Sequence, residues 1–156
     1  MKLRLPSIFC LILALGLVFQ AMFAQKVQLP SQHKKWLDEE VVYIITPVER
    51  DVFLKLQTDR ERDLFIDAFW KHRDPTPSTP DNEFRTEHYR RINYANHFYG
   101  RSAPMAGWRT ARGRFYIILG EPTDVQRFEG KSGIYATEIW FYQNKAELGL
   151  PPGFYV

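Results

Sequence analysis

Glu87 and His88 are the neighbouring residues in this chain whose types could perform acid–base chemistry. A carboxylate next to an imidazole can act as a general base or bind a metal ion, and Arg85 could anchor an anion. The pair matches the end of the metalloprotease pattern His-x-x-Glu-His, but the first histidine of that pattern is missing. One hypothesis is therefore a hydrolase that uses Glu87 and His88 with Arg85 as its anion anchor.

The same residues also have an ordinary structural interpretation. Glu87 and Arg91 are four residues apart, which is the spacing of an ion pair along a helix. His88 falls on the apolar stripe of the predicted helix, where a histidine is typical of a hydrogen-bonded core side chain. Because the four histidines of the chain show no ligand spacing, we expect no bound metal and no cofactor.

His72-Arg73-Asp74 spells the catalytic triplet of protein kinases. A kinase also needs a glycine-rich phosphate loop, a partnered lysine and an Asp-Phe-Gly motif, and the sequence has none of these. The plain interpretation is the end of a helix, where His72 and Arg73 complement the negative helix terminus and Asp74 starts the turn. We therefore predict no kinase activity.

Residues 107–114, GWRTARGR, form the second candidate site. Gly107 permits a turn conformation closed to other residues, Trp108 is the best available anchor for a loop, and Thr110 can bond its own backbone. We expect Trp108 to be buried and to pin the loop; the alternatives are an exposed recognition residue and a catalytic loop. The predicted binding or signature loop consists of Gly107, Trp108, Thr110, Arg112, Gly113 and Arg114.

Helix signals dominate the first two thirds of the chain. Thr46 and Thr58 each begin a capping box, with glutamate three residues later. Residues 31–43 read as an earlier helix, although the β-branched end of this stretch could form a strand instead. Three prolines in residues 74–80 predict an extended surface segment, after which Thr79 and Pro80 are expected to start a helix that runs to about Tyr99.

Strand signals follow Gly100. We predict strands at Arg114–Leu119, about Asp124–Phe128 and Ala136–Gln143, with Gly130 and Gly133 marking the turn before the last of these. A further strand is expected to begin at Phe154, the third residue from the end of the sequence, as a truncated domain would show.

The order of these elements predicts the fold class. Helices first and strands second indicate an α+β domain in which three to four N-terminal helices pack on one face of a small antiparallel sheet from the C-terminal third. We expect one domain over residues 25–156, with a helical part at about 31–99 and a β part at about 107–156.

The first 24 residues have the pattern of a signal peptide. Lys2 and Arg4 precede an unbroken apolar run from Ile8 to Phe19, and Ala24 offers a small residue for cleavage before Gln25. The run is shorter than the roughly 20 apolar residues that a membrane span needs, although an uncleaved membrane anchor is the alternative. Cleavage would deliver the protein to the periplasm or the cell surface, with no stable membrane span.

Removing residues 1–24 also removes Cys10, so no cysteine remains for a disulfide, a thiol nucleophile or a thiolate metal site. The rest of the chain has 19 basic and 18 acidic residues. That balance gives no electrostatic reason to expect nucleic acid or anionic lipid as a partner.

The stretch "GWRTARGRFYIILGEPTD", residues 107–124, resembles the signature of the GWxTD domain family of bacterial exported proteins. "YIITPVER", "FIDAFWKHRDPTPSTPDNEFRTEHYRRINYAN" and "EIWFY" are similar to the blocks that flank it, so the likeness covers about residues 34–144. The family has no established biochemical activity. Its aspartate falls here on Ala111, which cannot ionise, cap a turn or bind a metal; if that carboxylate were catalytic, this chain would lack it.

Three classes of function stay open at this point. The export signal, the high aromatic content and the missing catalytic set favour a non-catalytic cell-envelope module that binds another envelope protein or a further domain of a longer chain. The second class is the hydrolase based on Glu87, His88 and Arg85. The third is a glycan-binding module, since exposed aromatic faces stack on sugar rings.

Overall fold

A computed structural model of the protein describes residues 29–101, 103–130, 133 and 135–156. The predicted leader, residues 1–24, lies outside the described residues. Five α-helices and a three-stranded antiparallel sheet are found in the described part, which confirms the α+β class. The helices are α1 Ser31–Lys35, α2 Pro47–Lys55, α3 Asp59–His72, α4 Glu83–Tyr99 and α5 Ala111–Leu119, and the strands are β1 Asp124–Phe128, β2 Thr137–Gln143 and β3 Gly153–Tyr155.

The two predicted capping boxes are both present. The Thr46 hydroxyl accepts the Glu49 N–H at 3.2 Å, and the Glu49 carboxylate accepts the Thr46 N–H at 2.8 Å. Thr58 and Glu61 repeat both hydrogen bonds at the start of α3. These reciprocal contacts satisfy backbone donors that have no partner inside a helix, so α2 and α3 begin where the sequence indicates.

The arginine of the His72-Arg73-Asp74 triplet joins the end of α3 to the start of α2. Its guanidinium donates to the Glu49 carboxylate at 2.8 Å and lies 3.6 Å from the centre of the Phe69 ring. Partial burial alone would raise the pKa of Glu49, but hydrogen bonds from Arg73 and Thr46 lower it overall. The triplet is therefore a helix end, as predicted, and its arginine also forms an ion pair that the sequence did not indicate.

Two helix boundaries differ from the sequence prediction. The helix at residues 31–43 is shorter: α1 ends at Lys35, a π-helical stretch covers Trp36–Glu40, and the β-branched residues that follow form a turn. Helix α4 begins at Glu83 rather than near Thr79, because the Asn82 amide oxygen accepts the Arg85 N–H at 2.8 Å while its nitrogen donates to the Trp70 carbonyl at 2.7 Å. The second bond ties the cap to the end of α3.

The predicted strand at Arg114–Leu119 is wrong, and so is the predicted β part from residue 107. Residues Gly107–Arg109 form a 3₁₀ turn, Ala111–Leu119 is helix α5, and the sheet starts at Asp124. Buried residues of α5 fall at Gly113, Tyr116, Ile117 and Leu119, a helical spacing that places one face inside. The apolar, β-branched composition of this segment predicted a strand, but packing against α4 overrides that local preference.

Helix α4 lies between two buried regions. On one side, the π-helical stretch, α2 and α3 contribute to a cluster that contains Trp36, Phe53, Phe69 and Trp70, with Tyr89 of α4 packed against it. On the other side, Tyr94 of α4 contributes to a second cluster. That cluster joins α5 to the sheet through the side chains of Tyr116, Leu119, Trp140 and Tyr142.

The sheet has the strand order β1-β2-β3, with Val125 opposite Trp140 and Tyr142 opposite Phe154. The helices that contribute residues to the sheet cluster are α4 and α5. Among the described residues, no helix is both long enough and apolar enough to cross a membrane.

Candidate functional site

The signature loop folds into a cap for helix α5. The Thr110 hydroxyl donates to the Gly107 carbonyl oxygen at 2.7 Å and accepts the Gly113 N–H at 3.0 Å. The same carbonyl oxygen accepts the Thr110 N–H at 3.1 Å. One hydroxyl therefore closes the 3₁₀ turn and also satisfies a free donor in the first turn of α5. The threonine of the pentapeptide performs a local structural task.

The two glycines of the loop lie where a side chain could not fit. A Cβ on Gly107 would overlap the Ala95 carbonyl oxygen and lie 2.7 Å from the Asn96 Cα, so the turn rests directly on the backbone of α4. A Cβ on Gly113 would overlap the Gly107 carbonyl oxygen. Because only glycine permits both approaches, the loop is packed backbone to backbone against α4, and the start of α5 is packed in the same way against the loop.

Trp108 is buried, as predicted, with 9% of its surface exposed. It belongs to a third cluster with Ala95 and Ile117, and Tyr43 packs on its ring edge at 6.1 Å between centroids. Its backbone is held from both sides: its N–H donates to Asn96 Oδ1 at 3.1 Å, and its carbonyl accepts the Tyr43 hydroxyl at 3.0 Å. These contacts pin the loop between α4 and the turn after α1.

Sequence reasoning missed the two residues that hold Trp108. Tyr43 is 65 residues away along the chain and Asn96 is 12 residues away, and each contacts the loop backbone. Neither lies in a motif that distinguishes it from other tyrosines or asparagines. Because both residues contact the backbone of a different segment, no local spacing in the sequence indicates these contacts.

Arg112 and Arg114 point outward from α5. The Arg112 guanidinium lies 3.6 Å from the Glu138 carboxylate of β2 and 5.2 Å from the centre of the Tyr99 ring. Arg127 reaches the same carboxylate at 3.1 Å from the neighbouring strand. Partial burial would raise the pKa of Glu138, but hydrogen bonds from Trp140 and Arg127 lower it overall. Arg112 thus links the signature loop to the sheet.

Two concave surfaces flank the exposed side of α5. The first, the hairpin cleft, lies between α5 and the β1–β2 hairpin and has a volume of about 720 Å³. Its walls combine aromatic and charged side chains, among them Phe115, Phe128, Trp140, Arg112, Arg127 and Glu138. Ala111, which replaces the family aspartate, is also on this wall.

The second concave surface, the α5 groove, has a volume of about 550 Å³. It lies between α5 and the end of the described chain, and its walls are mostly apolar. Helix α5 contributes Arg114, Phe115, Ile118 and Leu119, and the opposite wall consists of Leu148, Leu150, Phe154 and Val156. Phe115 lies between the two concave surfaces and lines both of them.

Glu87 and His88 both make hydrogen bonds within the protein. Glu87 accepts a bidentate contact from Arg90 at 2.6 and 2.9 Å and a third from Arg91 at 2.7 Å. The hydrogen bond from Arg90 is the largest influence that lowers the pKa of Glu87 to about 2. A carboxylate this acidic and this fully engaged is a poor proton acceptor near neutral pH.

His88 is 4% exposed, and its Nε2 lies 2.7 Å from the Glu40 carbonyl oxygen. Burial lowers the pKa of His88, which favours a neutral ring that donates to that carbonyl. The ring also stacks parallel to Phe84, with 6.3 Å between the ring centroids.

Glu87 and His88 border a small cleft of about 330 Å³, but Arg85 does not line it. The Arg85 guanidinium lies 5.6 Å from the centre of the Trp70 ring instead.

Arg91, outside the predicted site, connects Glu87 to the end of α5. Its guanidinium donates to the Ile117 carbonyl at 3.3 Å, and the same group packs 3.0 Å from the position that a Cβ on Gly120 would take. A cation at a helix C-terminus is favourable because free carbonyls point there. Within the described chain, no three residues among His, Cys, Asp and Glu lie close enough together to hold a metal ion.

Comparison with known protein families supports the resemblance that the signature loop indicates. Neither a curated protein nor a solved structure matches the chain. The GWxTD domain family matches residues 18–150, a range that includes all five helices and the first two strands. The Gly-Trp turn capped by Thr110 is the part of this structure that carries the family pentapeptide, with Ala111 in place of the aspartate. The chain belongs to the GWxTD domain family.

Proposed function

We propose that this protein is an exported cell-envelope module that binds another envelope protein or a further domain of a longer chain, without performing catalysis. The apolar run before residue 24 supports export to the periplasm or the cell surface. The binding role rests on how the signature loop is used. The Thr110 and Arg112 side chains of the loop make contacts within the protein, and the surface that this loop positions is the outer side of α5.

The main observation in support of a binding role is that Phe115, between the two concave surfaces, is partly exposed. Its side chain is 39% exposed although it lies in the middle of α5, with Tyr116 and Ile117 buried beside it. A large apolar side chain at the meeting point of two concavities is typical of a recognition surface. The pinned loop and the close packing on α4 make this surface rigid, which lowers the entropic cost of binding.

The geometry gives less support to the hydrolase. Its three residues do not converge, because Arg85 faces the Trp70 ring while Glu87 is held by two other arginines. One of the two ring nitrogens of His88, Nε2, is occupied by the Glu40 carbonyl. A nucleophile and a base must lie within hydrogen-bond reach of a common reacting atom, and Arg85, Glu87 and His88 do not form such an arrangement.

Export is tested by replacing Leu13 and Leu15 with Asp in the full chain. Charge in the apolar run should prevent recognition by the export machinery, so the variant is expected to stay in the cytoplasm at full mass. The wild-type chain should instead appear in the envelope fraction, shortened by the leader. Normal processing of the double variant would contradict export by a signal peptide.

Binding is tested by placing a photoreactive amino acid at Phe115 in cells that export the protein. Crosslinks to one defined protein are expected from this position. Leu64, which lies on α3 and is 57% exposed, is the matched control and should give no such product. An equal pattern of products from both positions would contradict a binding role for the outer side of α5.

A glycan-binding module is a second candidate, because the hairpin cleft combines aromatic rings with charged hydrogen-bonding groups. Phe128 is 51% exposed at its edge and could stack on a sugar ring. Retardation of the protein in gels that contain cell-wall polysaccharide would support this function if Phe128→Ala removes it. Phe98→Ala, a change at a similarly exposed ring away from both concave surfaces, is the control.

A further inference from the structure

Charge is unevenly distributed along this nearly neutral chain. Residues 89–120 contain six arginines and no aspartate or glutamate. This stretch covers most of α4, the signature loop and all of α5. Acidic residues elsewhere in the chain offset these arginines. The nearly neutral net charge therefore does not reveal the basic region beside the α5 groove.

Some of these arginines are neutralised by the protein itself. Arg90 and Arg91 bind Glu87, and Arg112 faces Glu138. Among the described residues, by contrast, no carboxylate lies within 4.0 Å of Arg109 or Arg114. Both side chains are exposed. Their positive charges are therefore solvated by water and are available to a negatively charged ligand.

Arg109 and Arg114 flank the same tyrosine. The Arg114 guanidinium lies 5.7 Å from the centre of the Tyr43 ring, and Arg109 lies 5.1 Å from the adjoining Trp108 ring. Burial raises the pKa of Tyr43, while the charges of Arg114 and Arg109 oppose this effect. Stacking on aromatic rings restricts each guanidinium without using its hydrogen-bond donors.

Arg114 is also the charged side chain of the α5 groove, whose other described lining residues are all apolar. Phe115 and Leu148 are both more than a third exposed there, at 39% and 46%. The groove therefore presents an apolar floor with a positive charge on its rim, and its described lining residues include no aspartate or glutamate. A complementary ligand would carry apolar side chains for the floor and a negative charge for the rim.

We propose that the α5 groove binds a peptide segment of another protein in which apolar residues alternate with, or are flanked by, aspartate or glutamate. This inference rests on the proposed binding function and names its site and its ligand chemistry. The apolar side chains occupy the space between Phe115 and Phe154, and a carboxylate pairs with Arg114.

A peptide fits this groove better than an anionic membrane does. Membrane surfaces are bound by clusters of about 4–8 basic residues or by long amphipathic helices with an outward apolar face. Here a single charged side chain among the described lining residues, Arg114, borders a concave surface, and the helix on its wall has 9 residues. A lipid headgroup layer cannot enter such a groove, whereas an extended or helical peptide can.

The test uses the processed protein purified from the envelope and a displayed library of random 12-residue peptides. Selected peptides are expected to be enriched in Leu, Ile or Phe together with Asp or Glu. Arg114→Glu should weaken their binding at least about tenfold, since a repulsive pair replaces an attractive one. Phe115→Asp should do the same by placing a charge on the apolar floor.

Two exposed positions on α3 supply the matched controls. Arg60→Glu makes the same charge change and Leu64→Asp the same apolar-to-acid change, and neither should alter peptide binding. Unchanged melting temperatures of all four variants would show that the fold is intact. A groove variant that fails to fold is replaced by Phe115→Ser or Arg114→Gln, for which a smaller loss in the same direction is expected.

Several outcomes would overturn the proposal. These are the selection of neutral or basic peptides, no selection at all, or selected peptides that bind the groove variants as well as the wild type. Arg114-dependent binding to phosphatidylglycerol vesicles without peptide selection would assign the groove to lipid instead. A dimer in sedimentation that Phe115→Asp dissociates would assign it to a second copy. Crosslinking from Phe115 in cells tests the binding function separately, so its success with failed selection rejects the ligand chemistry alone.

Discussion

The Thr110 hydroxyl accepts the Gly113 N–H at 3.0 Å, so the signature loop of this protein is the N-terminal cap of the helix that follows it. The same hydroxyl donates to the Gly107 carbonyl, which places three signature residues in one small hydrogen-bonded unit. Position 111, where the family pentapeptide has aspartate, is the first residue of that helix. A carboxylate there would lie at the positive end of the helix dipole.

Removing the cap should weaken the fold without abolishing it. Thr110→Ala is expected to cost about 0.5–2 kcal/mol of unfolding free energy, because the Gly113 N–H loses its acceptor. Thr110→Ser keeps the hydroxyl and should retain most of the stability. Urea denaturation of the three proteins measures both effects, and equal midpoints for Ala and Ser would contradict the capping role.

Gly113→Ala should destabilise the protein although alanine is the better helix former. Helix propensity alone would favour alanine by about 1 kcal/mol. The added Cβ would overlap the Gly107 carbonyl oxygen, and overpacking of this kind costs about 1–3 kcal/mol. A lower melting temperature is the expected result. A raised melting temperature would mean that the loop does not rest on the start of α5.

Trp108→Ala is expected to lower the unfolding free energy by about 3–5 kcal/mol, the usual cost of removing a core aromatic ring. Faster proteolysis near Gly107 should accompany it. Tyr135→Ala serves as the control, since this ring is 92% exposed and its loss should change stability by less than about 0.5 kcal/mol. Wild-type melting of the Trp108 variant would show that the ring does not anchor the loop.

Restoring the family carboxylate with Ala111→Asp should stabilise the protein by about 0.3–1 kcal/mol at low salt. The first turn of α5 has no acidic residue, and Arg112 and Arg114 are close by. Ala111→Asn tests the contribution of shape without charge and should show less of the gain. The difference between the two variants should shrink as salt is added. A new hydrolytic activity in the Asp variant would contradict a structural role for that carboxylate.

Glu87 should make stability fall in acid. Its pKa is lowered from 4.5 in the unfolded reference to about 2 in the folded protein, chiefly by the Arg90 hydrogen bond. A depressed folded-state pKa adds stability above pH 4.5 and loses it progressively as the pH falls toward about 2. Glu87→Gln should therefore show a shallower loss of unfolding free energy over this interval. Parallel curves for the two proteins would contradict the ion-pair assignment.

Local patterns in the sequence were sufficient for the features that depend on neighbouring residues. Both threonine capping boxes form because a hydroxyl and a glutamate three residues later can reach each other in any chain context. The end of α3 at His72 and the α+β order of elements follow from similar short-range preferences. The burial of Trp108 could be expected from the size of its ring.

Helix α5 was decided by tertiary structure. Residues 115–119 have a strand-like composition, yet they are helical because Gly107 lets the loop lie directly on α4 and Gly113 lets the start of α5 lie directly on the loop. The approach of the loop to α4 depends on the Ala95 carbonyl, which lies in another segment of the chain and is not indicated by the local sequence pattern. The same packing turns Phe115 outward between the two concave surfaces. Contacts between distant segments set these features, because burial of the α4–α5 interface outweighs the intrinsic preference of a short β-branched run.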